Sequence, residues 1–102
     1  MDVQDAERVT RIRQSAAQLR RLDRDGGFTA ATINAIKRHR QTFDREIALL
    51  VDAGHRELVG LLGEERRLAD RIRHRKSLEA GHEDLDARLT VCRDRIRVLV
   101  GA

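Results

Sequence analysis

The stretch "LLVDAGHREL", Leu49 to Leu58, decides how this chain folds. Apolar residues recur every three or four positions on both sides of it, so helix is expected before and after. At its centre stands Gly54, and a glycine in the left-handed conformation just past the last helical residue is a very common way to end a helix. If the helix stops there, the chain is a set of short antiparallel helices. If it continues, residues 30–80 form one rod of ~75 Å at ~1.5 Å per residue, whose apolar seam needs partner chains. The stop is the favoured reading, because nearly the same phrase, "EAGHEDL" (Glu79 to Leu85), stands where another periodic segment ends. Both phrases read as one stop-and-restart signal used twice.

Working outward, the periodicity predicts four helices over about residues 5–22, 30–52, 56–79 and 83–100. The first carries Val9, Ile12, Ala16 and Leu19 on one face and ends at "DRDGG", where two glycines break it. Thr29 is an N-cap for the second, and Phe28 before it is expected to staple onto Ile33. Ile33, Ile36, Phe43, Ile47 and Leu50 continue that helix, with Arg40 in one apolar slot. The third has Leu58, Leu61, Leu62, Leu68, Ala69 and Ile72, interrupted by Glu65. Gly60 and Gly63 inside it suggest close approach by a neighbouring backbone, or else a local break. Leu85, Leu89, Cys92, Ile96 and Leu99 give the fourth a clean heptad, and Glu83, Asp84 and Asp86 suit the positive end of its dipole.

The expected class is therefore all-α: a single domain, residues 1–102, of four amphipathic helices as an up-down bundle or coiled-coil hairpin. Composition agrees, with 37% charged residues, no Pro, no Trp, no Tyr and two Phe. Strands would need β-branched and aromatic runs that are not present.

The charge balance is modest evidence about partners. The net charge is +4, and arginine supplies all but two of the 21 basic residues, with 17 acids interspersed. A helical surface laced with salt bridges accounts for most of this. Two clusters stand out, "KRHR" (Lys37, Arg38, His39, Arg40) and "RIRHRK" (Arg71, Arg73, Arg75 and Lys76, with His74). A hairpin folded about Gly54 would set residue 36 opposite 72 and bring both clusters to one end. Lys37, Arg38, Arg40, Arg71, Arg73, Arg75 and Lys76 are thus the candidate residues for a nucleic acid or another acidic partner, binding through phosphates. The same hairpin places Arg40 near Glu65 as a potential buried pair.

Metal and covalent chemistry find little support. Asp52–His55 and Glu79–His82 have a spacing used for carboxylate–imidazole metal sites in bundles. Each is interrupted by glycine, and the two lie some 35–40 Å apart along the third helix at ~1.5 Å per residue. Both histidines therefore read as exposed turn residues. Cys92, the only cysteine, falls on an apolar helical position and reads as a buried thiol. Ser15 and Ser77 lack a base and an orienting group. No catalytic residue, metal ligand or cofactor is assigned. The N-terminus is charged from its second residue and no apolar run reaches membrane-spanning length, so a cytoplasmic location is the expectation.

One stretch, "ELVGLLGEERRLADRIRHRK" (Glu57 to Lys76), resembles the first helix of the all-helical chorismate mutases. That resemblance implies a substrate-binding role for Lys76. It departs from the family where mid-helix Glu65 replaces an arginine and where Ala48 takes the position of another. Those arginines would pair with substrate carboxylates, and Glu65 would repel them. The expected function is instead a non-enzymatic, self-associating helical interaction module with a protein partner. A small nucleic-acid-binding protein is the alternative.

Overall fold

The computed structural model describes residues 1–101 and is all-helical: α1 (Val3–Asp25), α2 (Ala30–Asp52), α3 (Arg56–Ser77) and α4 (Glu83–Val100). The chain does break at residues 53–55, so the single rod over 30–80 is not formed. It divides into two compact units, Asp2–His55 and the chain from Arg56 onward, each an antiparallel helical hairpin: α1 packs on α2, and α3 packs on α4.

In the first hairpin, Asp2 caps α1 by accepting from the Asp5 backbone N–H at 2.7 Å. Gly26 closes the helix, its N–H reaching the Leu22 carbonyl at 2.9 Å, and Gly27 turns the chain with φ 66°. Thr29 then caps α2 through the Thr32 N–H at 3.1 Å. The turn is locked by the Thr32 hydroxyl, which donates to the Gly26 carbonyl at 2.7 Å. A Cβ on Gly26 would come within 2.5 Å of Thr32 Cγ2, so this glycine is demanded by close packing. Phe28 does not staple. It is 100% exposed and Ile33 is exposed as well, because the Thr29–Thr32–Gly26 bonds already fix the entry angle of α2.

The α1 face of Val9, Ile12, Ala16 and Leu19 is buried as its spacing predicts, with Ser15 added. On α2 the buried stripe is different: Thr32, Glu46 and Leu50 are inside, while Ile36, Phe43 and Ile47 are only half-buried and Ile33 is exposed. Arg40 is exposed too and occupies no core slot.

In the second hairpin, Leu58, Leu62, Leu68 and Ile72 of α3 and Leu85, Leu89, Cys92 and Ile96 of α4 are buried. Each such side chain stabilises the fold by roughly 1.5–3 kcal/mol on removal from water. α3 runs unbroken through Gly60 and Gly63. Neither marks close backbone approach: a Cβ on Gly60 would meet nothing within 4 Å, and one on Gly63 would meet only the Arg67 guanidinium at 3.3 Å.

The two similar phrases end their helices in the same motif but in different frames. After α2, the N–H of His55 reaches the Leu50 carbonyl at 3.0 Å and that of Gly54 reaches Val51 at 2.9 Å, with Gly54 at φ 88°. After α3, the N–H of Ala80 reaches Arg75 at 2.9 Å and that of Glu79 reaches Lys76 at 3.1 Å. Both are paired terminal bonds around one left-handed residue. In the second case that residue is Glu79, at φ 55°, and not Gly81.

Candidate functional site

Three features concentrate chemistry or exposed apolar surface. The first is an ionic network joining α1 to α2. Glu46 is only 4% exposed, and its carboxylate accepts from Arg8 Nη1 at 3.0 Å and Arg11 Nε at 3.1 Å. Burial pushes the Glu46 carboxyl up, but the hydrogen bonds from Arg11 and Arg8 outweigh it and hold the group below the usual carboxylate range. Asp5 extends the network, lying 3.6 Å from Arg8 Nε and 2.9 Å from His55 Nε2. His55 is therefore half-buried and engaged, where the sequence reading had an exposed turn residue. This network ties the two ends of the hairpin together and is structural.

The second feature is the pair of basic clusters, which the structure treats unequally. Lys37, Arg38 and Arg40 are all exposed on α2. No ion pair involves any of them among the described residues, and no acid occurs between Gly26 and Phe43. The second cluster is partly absorbed by its own hairpin. Arg75 Nη1 donates to Asp84 at 2.9 Å and to the Gly81 carbonyl at 3.3 Å, bracing the α3–α4 turn. Arg73 is half-buried and partnered, leaving Arg71 and Lys76 exposed. The clusters sit on different hairpins, α2 and α3.

The third is an apolar groove of about 490 Å³ between α3 and α4, which the sequence reading missed. Leu61, Ala87, Val91 and Cys92 line it, with Glu64, Arg88 and Arg95 around it. Val91 is 69% exposed, and Val98, two turns further along α4, is exposed as well. The signal was present: Ala87, Val91 and Val98 share a helical face, away from the Leu85–Leu89–Cys92–Ile96 seam. The stronger Leu85–Leu89–Cys92–Ile96 repeat masks this second face in the sequence. Cys92 is buried as expected, its Sγ donating to the Leu61 carbonyl at 3.2 Å.

Glu65 is buried and accepts from Arg93 Nε of its own hairpin at 3.1 Å, which supplies a partner other than Arg40. Lys76 is exposed at the end of α3, and Ala48 belongs to α2, so the mutase-like positions are not carried on one helix. His82 Nδ1 lies 2.7 Å from the Asp86 carboxylate within the α4 entry. Among the described residues no group of three or more His, Cys, Asp or Glu side chains is arranged to hold a metal ion, and no helix is long and apolar enough to cross a membrane. Compared with protein-family models, curated proteins and solved structures, the chain matches none.

Proposed function

We propose that this chain is a non-enzymatic helical interaction module that associates with a second copy of itself through the α3–α4 groove. The observation that carries the reading is the exposure of Val91 at the lip of an apolar groove lined by Leu61, Ala87 and Cys92. Aliphatic surface left in water costs roughly 25 cal/mol per Å², so a contiguous apolar strip favours being covered. A second copy is suited to cover it. The Ala87–Val91–Val98 ridge matches the groove in chemistry. The surrounding charges carry both signs, with Glu64 on α3 and Arg88 and Arg95 on α4, so one copy can offer opposite charge to the other.

Sedimentation or light-scattering mass at rising concentration tests this. The wild type is expected to form a dimer. Val91→Glu is expected to be monomeric with unchanged helicity, and Val91→Ala intermediate. A wild type that stays monomeric at high concentration sinks self-association, and a Val91→Glu protein that still dimerises sinks the groove as its seat.

A further inference from the structure

We propose that the outer face of α2 is a docking surface for B-form DNA, engaged through its phosphates. The inference is independent of self-association, since it uses the other hairpin. The inward stripe of α2 is Thr32, Glu46 and Leu50. By helical periodicity the opposite side carries Asn34, Lys37, Arg38, Gln41 and Arg45, all of them exposed. Asn34 and Gln41 supply amide donors, and Lys37 and Arg38 supply cations between them. Arg40 flanks this strip, also exposed.

Three properties suit this face to a polyanion. First, Lys37, Arg38 and Arg40 are exposed and form no ion pair among the described residues, while Arg45 at the end of the strip lies 3.8 Å from Glu46. Second, no acid lies between Gly26 and Phe43, so the first fourteen residues of α2 carry cations and no anion; Asp44, one turn beyond Arg40, is the first acid met. Third, the strip from Asn34 to Gln41 spans about 10.5 Å at ~1.5 Å per residue, and Asn34, Lys37, Arg38 and Gln41 are all exposed. The major groove of B-DNA, about 12 Å wide, admits such a helix, whereas the deep, narrow major groove of RNA does not. With two phenylalanines and no Trp or Tyr, the chain has few large rings with which to stack unpaired bases, so duplex is favoured over single strand. Recognition by phosphate contacts alone is tolerant of sequence.

Fluorescence anisotropy with a labelled random-sequence DNA duplex tests the proposal at low and moderate salt. The wild type is expected to bind with a log–log salt slope of about −2.7 for three phosphate contacts. The triple variant Lys37→Ala/Arg38→Ala/Arg40→Ala is expected to lose at least tenfold in affinity and most of the slope, with circular dichroism unchanged because all three side chains are exposed. Arg71→Ala/Lys76→Ala is expected to bind as wild type does. The proposal is overturned if the wild type fails to bind duplex DNA at low salt, or if the triple variant binds equally well. It is likewise overturned if anionic phospholipid vesicles or an RNA duplex bind while the DNA does not.

Discussion

The Nε2 of His55 lies 2.9 Å from the Oδ2 of Asp5, fifty residues earlier in the chain. The contact joins the first turn of α1 to the residue that follows the last turn of α2. Antiparallel packing makes it possible: the far end of α2 returns to the start of α1. An ionised carboxylate only accepts, so the imidazole donates across the gap. His55→Ala is expected to destabilise the first hairpin by about 1 kcal/mol, the net worth of a partly exposed hydrogen bond. A double-mutant cycle with Asp5→Ala, read by urea denaturation, checks it. Additive effects would mean the two residues are not coupled.

Glu46 is the charged group most deeply committed to the fold. Glu46→Ala removes the acceptor shared by Arg8 and Arg11, leaving Arg8 with Asp5 at 3.6 Å. The expected loss is about 2–3 kcal/mol, below the range for a fully buried pair because both arginines retain contact with water. Glu46→Leu is expected to lose a similar amount, since it too removes that acceptor, whereas replacing Glu46, Arg8 and Arg11 together by apolar residues is expected to recover much of it.

The same residue sets a pH dependence. Its carboxyl is held below the usual value of 4.5 in the folded chain, so the unfolded chain binds the proton more readily. Its stabilisation is complete above that ordinary value and is lost as the pH falls through the lower folded-state value. Denaturant midpoints measured from pH 6 downward are expected to fall more steeply for wild type than for Glu46→Gln. Parallel curves would remove Glu46 from the acid response.

Gly60 is a cheap target for stabilisation. It sits inside α3 with right-handed dihedrals and open space where a Cβ would go. Gly60→Ala is expected to gain up to about 1 kcal/mol by reducing the freedom of the unfolded chain and improving helix propensity. Thermal melts should show this as a higher midpoint. A lower one would indicate that the position is covered in solution.

Glu79 presents the opposite case, a side chain where glycine belongs. Its φ of 55° costs about 1 kcal/mol relative to glycine, and it is exposed, so nothing is lost by removing its side chain. Glu79→Gly is expected to raise the denaturant midpoint. Gly54→Ala, at φ 88°, is expected to lower it by a similar amount.

Most of the fold was legible because helix ends and apolar spacing are local. Thr29 and the glycine pair at Gly26–Gly27 mark the first turn, and α4 begins where Glu83, Asp84 and Asp86 cluster. The inner face of α2 was not legible. Its apolar residues cover more than half its circumference, so periodicity alone cannot say which part faces α1. Two arginines on α1 decide that by drawing Glu46 inward, and such a preference depends on a residue more than thirty positions away. The candidate sites divide the same way. The acid-free run around Lys37, Arg38 and Arg40 is visible in the letters, while the pairing of Arg75 with Asp84 and its bond to the Gly81 carbonyl appear only once the turn is built.

The frame shift between the two stop phrases bears on how the chain is compared with itself. Aligning "DAGHREL" with "EAGHEDL" letter by letter would equate Gly54 with Gly81, yet the backbone equates Gly54 with Glu79. An ancestry argument for two duplicated hairpins built on those letters would thus carry a two-residue error through every matched position. The likeness is one of vocabulary: helix termini draw on few residue types.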